Sequence, residues 1–247
     1  MEKSNVLSIA SKSRAKVLPW ADDPKELPIY SISDVAQALR MGEGALSDWT
    51  KPKIRHGRKG ENFDPLVLLP EQGLADGRLS FYNAIEAHML LSMRRRYKVP
   101  MLEVRRALKK IRETEPSRHP LAEYSFQKKG KHLFLETIGE NIDMSQGGQK
   151  ILGEILDEYL TRIERDTSGV AFRLTPVLPG SGLEVRPVMM DMKYSSGKLV
   201  IMDTGIRVDV VHGRYRAGHS IEKLARDYRL TEDQIKGAIQ YATSKAA

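Results

Sequence analysis

The chain has 247 residues, 40% of them apolar, which suits one or two domains with a filled core. It has no cysteine, which excludes disulfides, thiolate metal sites and cysteine nucleophiles together. The net charge of +8 points to an acidic partner, and no apolar run reaches the roughly 18–20 residues of a membrane span.

Residues 1–28 hold Pro19, Pro24 and Pro28 with mixed charges and no sustained period, so an extended or disordered arm is expected. Met1 to Lys16 has no uninterrupted apolar segment of the signal-peptide kind, and a soluble cytoplasmic protein is expected.

Ser31-Ile-Ser-Asp34 reads as a capping-box start, followed by Ile32, Val35, Ala36 and Leu39 on one helical face. After Met41-Gly42 a second short helix runs from Glu43 to Thr50, with Ala45, Leu46 and Trp49 inward and Pro52 as its stop. Two short helices around a glycine turn form a helix-turn-helix pattern. A basic stretch follows, and then Leu66–Leu69 and Leu79–Phe81 read as the strands of a wing.

Helices are predicted over Tyr82–Tyr97, with Ile85, Met89 and Met93 on one face, and again after Pro100, with Val104, Leu108 and Ile111 as its core stripe. Arg105, Arg106, Lys109 and Arg112 are expected to turn outward. Between Arg94 and Arg112 there are nine basic residues and one acid, an excess equal to that of the whole chain. Such a stripe attracts polyanions. A solvated helix face is the alternative reading.

Residues 29–116 form the first expected domain. A connecting region, 117–177, should hold a hairpin (Leu121–Phe126 and His132–Glu136 around Lys128-Lys-Gly130) and an amphipathic helix from Gln149 to Arg165. The second domain, 187–247, carries short strands at Val188–Met192 and Lys198–Met202 around Ser195-Ser-Gly197. A helix over Val210–Ala217 follows. A second helix-turn-helix then runs from a Ser220 cap through Tyr228 to a Thr231/Gln234 capping box opening Glu232–Ala242. The expected fold class is mainly α with small β-hairpins, an α+β chain.

No catalytic constellation stands out, and no cofactor or metal is expected. The six histidines are scattered without the i, i+4 spacing of a helical metal site. There is no phosphate-cradling loop and no Gly-x-Ser-x-Gly elbow. A carboxylate nuclease assembled from distant acids stays open as a lesser reading, so a non-enzyme is expected.

Two resemblances add to this. Tyr30-Ser-Ile-Ser-Asp-Val-Ala-Gln-Ala-Leu39, Ala45-Leu-Ser-Asp-Trp49 and Arg78-Leu-Ser-Phe81 resemble the winged helix-turn-helix of MerR-type regulators, without their long dimerising coiled coil. Gly197 to Val208, Ser220-Ile-Glu-Lys-Leu-Ala225 and Leu230 to Tyr241 are similar to a small domain of VapB-type antitoxins, long catalogued as a domain of unknown function. The resemblance implies an antitoxin that binds operator DNA as a homodimer, represses its own operon and neutralises a PIN-like ribonuclease toxin. A stand-alone regulator without a toxin is the alternative.

In a helix-turn-helix the second helix reads base edges in the major groove. That nominates Glu43, Gly44, Ser47 and Asp48 as readers, with Lys51, Lys53, Arg55 and Arg58 on phosphates. Two acids are unusual there, since they repel phosphate. In the second module Thr231, Gln234 and Lys236 are candidates, with Arg214 and Arg216 gripping the backbone.

Overall fold

The computed structural model describes residues 23–55, 61–96, 98–114, 117–123, 125–141, 146–178 and 185–244. The fold is α+β: nine α-helices, one two-stranded hairpin and one four-stranded antiparallel sheet among these residues. Most of the expected arm, residues 1–22, lies outside the described residues. Its last part is folded, because Pro24–Glu26 form a 3-10 turn and the Tyr82 hydroxyl donates to Asp23 at 2.9 Å. No described helix is long and apolar enough to cross a membrane.

The two short helices expected near the N-terminus both form. Helix α1 (Ile32–Ala38) opens on the expected capping box, with Asp34 N donating to Ser31 Oγ at 3.0 Å and Ser31 N to Asp34 at 2.8 Å. Helix α2 (Glu43–Trp49) buries Leu46 and Trp49 against α1. The hairpin that follows differs from the expected wing. It pairs β1 (Lys53–Arg55) with β2 (Glu61–Phe63), Lys53 opposite Phe63. Residues 66–69 are irregular instead, because Pro65 and Pro70 lack the N–H that a ladder needs. Their polar groups are met individually: Val67 N donates to Trp49 O, and Asn83 Nδ2 to Leu68 O at 2.8 Å. Leu79 pairs with Tyr30, a single bridge beside α1.

Helix α3 (Phe81–Arg96) is the central rod, buried from Phe81 through Met93. Among its buried polar residues, Asn83 accepts from Ser80 N, and Ser92 Oγ donates to Met89 O. Helix α4 (Met101–Thr114) is amphipathic, burying Val104, Leu108 and Ile111 as expected. Arg105 and Arg112, expected to face outward, turn in toward the hairpin. The Arg105 guanidinium donates to Asp64 O at 2.6 Å and to Asp48 O and Lys51 O at 3.4 Å, and Arg112 donates to Pro65 O and Leu66 O. The irregular connection leaves carbonyls without ladder partners, and the two arginines supply the missing donors.

The hairpin expected around Lys128-Lys-Gly130 is helical. A π-helical turn, Phe126–Gly130, runs into helix α5 (Lys131–Asn141). Phe126, Gly130, Phe134 and Ile138 are all buried and four apart. Positions four apart also satisfy a two-residue alternation, so helical and extended readings coincide there. Gly130 packs under the Phe126 ring, where an added Cβ would stand 3.1 Å from it.

Helix α6 (Gln146–Leu160) stops short of the expected Arg165. Ile163 leaves the helical stripe and opens β3 (Ile163–Arg165), paired with β4 (Ala171–Leu174). The turn between them is built by Asp166, whose carboxylate accepts from Ser168 N and Val170 N, and by Gly169 at φ 85°.

Strands β5 (Val188–Asp191) and β6 (Leu199–Ile201) pair as expected, Met189 opposite Val200, across the turn at Ser195-Ser-Gly197. The sheet order is β3-β4-β5-β6, with Leu174 opposite Met190. One sheet therefore crosses the segment where the sequence suggests a boundary. Helices α7 (Val208–Arg216), α8 (Ile221–Tyr228) and α9 (Glu232–Thr243) close a second core around Val211, Leu224, Ile235 and Tyr241. Arg229, the C-cap of α8, adopts φ 57°.

Polar contacts at Tyr30, Asp34 and Ala38 help bind this unit to the first. Tyr30 Oη donates to Gly197 O at 2.9 Å, Lys198 Nζ lies 2.9 Å from Asp34, and Tyr241 Oη donates to Ala38 O at 2.6 Å. Gly197 is required twice over: its φ is 76°, and a Cβ would fall 2.0 Å from the Tyr30 hydroxyl. Because Tyr241 is wholly buried, Tyr241→Phe leaves the Ala38 carbonyl without this donor. A loss of about 1–2 kcal/mol in urea unfolding is expected. An unchanged midpoint would show that the carbonyl is satisfied by another group.

Candidate nucleic-acid interface

Gly44, Ser47, Asp48 and Lys51 follow a spacing of three, four and seven, which places them along one side of α2. Gly44 and Asp48 are exposed and Ser47 half-buried, and nothing stands within 4 Å of the place where a Cβ on Gly44 would go. Glu43 has a local task. Its Oε1 accepts from Ser33 Oγ at 2.7 Å, tying α2 to α1, and its charge sits at the helix N-terminus, where the dipole favours it.

Beyond α2 the surface turns cationic. A cleft of about 640 Å³ opens between the α2–β1 corner and the start of α4. Asp48, Lys51 and Lys53 line one side, and Arg94, Lys98 and Arg105 the other. Lys51, Lys53, Arg94 and Lys98 are exposed there. Arg55 ends β1, and Arg58 lies outside the described residues.

The basic stripe of residues 94–112 divides by task. Arg95 donates to Leu39 O and Arg40 O, and Arg105 and Arg112 hold carbonyls as described, so these three are internal struts. Arg96 faces Glu158 at 4.0 Å, Arg106 faces Glu103 at 2.7 Å and Lys110 faces Glu140 at 3.4 Å. Arg94, Lys98 and Lys109 remain exposed. Arg94 and Lys98 were absent from the sequence-derived phosphate set, although the charge count pointed to their region. Only the packing of α3 and α4 beside α2 brings them to Lys51 and Lys53.

The C-terminal candidates are placed differently. Thr231 and Gln234 form the expected capping box, Gln234 N donating to Thr231 Oγ1 at 3.2 Å and Thr231 N to Gln234 Oε1 at 3.0 Å. Lys236 lies 3.1 Å from Glu232. The Arg214 guanidinium pairs with Asp227 and stands 5.2 Å from the Tyr228 ring centre, bracing α7 against α8. Hydrogen bonds with Tyr228 and Asp227 raise the pKa of Arg214, and the bond from Arg214 lowers that of Asp227. Arg216 is exposed at the end of α7. Arg214 and Lys236 are thus paired with carboxylates, and Thr231 and Gln234 with each other.

Comparison with known proteins follows the same division of the chain. Residues 188–242 carry the domain described as "Protein of unknown function (DUF433)". The DUF433 segment begins at β5 and ends in α9, so it holds half of the four-stranded sheet and all three C-terminal helices. Over a longer span the chain is similar to a Mycobacterium tuberculosis protein named "Putative antitoxin VapB45". The two are 27% identical over 232 residues, covering 87% of this chain and 93% of the relative. The fold also matches an X-ray crystal structure of Rv2018 from Mycobacterium tuberculosis with a TM-score of 0.60. That match is 22% identical and covers 86% of this chain and 98% of the other. The similarity thus reaches well beyond DUF433 into the helix-turn-helix and its cleft.

Proposed function

We propose that this protein is the antitoxin of a type II toxin-antitoxin pair. In this reading it binds operator DNA as a homodimer, represses its own operon and neutralises a PIN-like ribonuclease toxin. The printed name of the M. tuberculosis relative supports a toxin-antitoxin role in general. The observation that carries DNA binding is the cationic cleft beside α2, where Lys51, Lys53, Arg94 and Lys98 flank an exposed helix face.

We read the order of α1, α2, hairpin and two long helices as supporting a winged helix-turn-helix of the MerR kind. In such a module α2 enters the major groove, while lysines at its end and on the neighbouring helices take phosphates. A two-fold dimer then meets an inverted repeat.

The test is binding of the purified full chain to its own upstream DNA at two salt concentrations, with a random duplex as control. Selective, steeply salt-dependent binding is expected. Replacing Lys51, Lys53 and Lys98 together by glutamine is expected to weaken binding to every duplex and to flatten the log–log salt slope by roughly 2–3 units. An unchanged slope would remove these lysines from the phosphate contacts. Co-purification of the product of the adjacent reading frame, with loss of its ribonuclease activity in the complex, tests the toxin. Selective DNA binding without such a partner supports the stand-alone regulator.

A further inference from the structure

Of the two acids on α2, Glu43 is explained by the fold and Asp48 is not. Asp48 sits in the last turn of a seven-residue helix, where the dipole disfavours negative charge. Its carbonyl is used, accepting from Lys51 N and from the Arg105 guanidinium. Its carboxylate is exposed and makes no hydrogen bond or ion pair with any described residue, although five cationic side chains line the same cleft. On a phosphate-binding surface a bare carboxylate also works against affinity, by repulsion. It therefore burdens both the helix and general attraction to DNA.

What a carboxylate supplies is acceptor-only chemistry. In the major groove cytosine presents its N4 amino group as a donor, whereas thymine O4 and guanine O6 and N7 are acceptors. Adenine N6 is also a donor but has the acceptor N7 beside it, so an ionised carboxylate bonds cytosine N4 most freely and is repelled by acceptor edges. We infer that Asp48 determines sequence specificity on α2 by accepting a hydrogen bond from the N4 amino group of a cytosine in the operator.

The inference rests on the DNA-binding reading above and deepens it. Gly44 lies one turn earlier and Ser47 directly precedes Asp48, and neither carries a charge or a long side chain. Asp48 is thus the only charged acceptor among Gly44, Ser47, Asp48 and Lys51. The cations around it hold the backbone, while Asp48 discriminates between bases.

The experiment selects duplexes from a randomised library with the full chain and with Asp48→Asn, and measures affinity for a selected and a random duplex. The unaltered protein is expected to fix cytosine at one position in each half-site. Replacing that cytosine by thymine should weaken its binding roughly tenfold or more. Asp48→Asn is expected to lose this preference, to bind the random duplex several-fold more tightly at low salt, and to melt no lower than the unaltered protein. Identical base preferences in the two proteins would overturn the assignment while leaving DNA binding in place. Failure of the unaltered protein to bind any duplex would sink the DNA-binding reading itself, and the role of Asp48 with it. Asp48→Ala, which removes both acceptor and amide, is expected to lose the same preference. Retention of the cytosine preference in that variant would equally overturn the assignment.

Discussion

Replacing Arg105 by methionine is expected to destabilise the protein by roughly 1.5–3 kcal/mol, the range for hydrogen bonds to a charged group. The side chain is only 6% exposed, and its guanidinium holds carbonyls on both sides of the β1–β2 hairpin: Asp48 and Lys51 before it, Asp64 after it. Methionine keeps much of the apolar stem, so the loss isolates the donors from the packing. Without them three carbonyls lose a shared partner, and the hairpin is free to shift against α2. DNA binding should therefore fall together with stability, even though Arg105 itself faces inward. Urea unfolding followed by duplex titration below the transition separates the two effects. An unaltered unfolding midpoint would show that water or another side chain already satisfies these carbonyls.

The second large effect concerns His119. Its ring stacks on Tyr82 and stands between two buried carboxylates, 2.7 Å from Glu26 and 3.0 Å from Glu86. Burial works against the charged ring, but attraction to Glu86 and bonding to Glu26 outweigh it, raising its pKa to about 9. The folded state then binds a proton that the unfolded chain releases near pH 6.5, the ordinary histidine value. The stability this supplies is complete below about pH 6.5 and is lost as pH rises through about 9. His119→Gln is expected to cost about 3–5 kcal/mol at pH 6, because it strands Glu86 and Glu26 in the interior. It is also expected to flatten the stability profile between pH 6.5 and 9. A variant retaining the alkaline slope would place the titration on another group. His88 behaves oppositely. Complete burial holds its pKa down to about 3, so its contribution is present above about pH 6.5 and declines as pH falls toward 3.

The two clusters have a shared structural meaning. His119 anchors the turn at Pro24–Glu26 to α3, and Arg105 anchors the hairpin to α4. Each uses a buried cation to fasten an irregular segment to a helix, where no regular ladder satisfies the backbone. Arg95, Arg105 and Arg112 are consumed in holding main-chain carbonyls, and others are consumed in ion pairs.

Much of the fold was legible from local signals. Ser31 with Asp34, Ser220, and Thr231 with Gln234 each mark a helix start at the observed residue, because a cap is a bond within four residues. The strands at 188–191 and 199–201 were legible from a short apolar run on each side of a serine-glycine turn. The connecting region was not. Phe126, Gly130, Phe134 and Ile138 fit a helix and an alternating strand equally, and only packing against α4 and α6 selects the helix. Ile163 continued a helical spacing on paper, yet the Asp166–Gly169 turn downstream draws it into a strand. That turn is visible in the sequence as Asp-Thr-Ser-Gly and is the signal that could have ended α6 in the right place.

The candidate site divides along the same line. Local spacing and the stop at Pro52 suffice to place α2 as a short helix with Asp48 and Lys51 near its end, since both act within a few residues. The sequence by itself also determined that the surplus charge lies between residues 94 and 112. Which of those cations meet solvent was decided only by the tertiary structure. An arginine turns inward or outward according to whether unpaired carbonyls lie within its reach, and those carbonyls belong to residues 41 to 57 positions away in the chain.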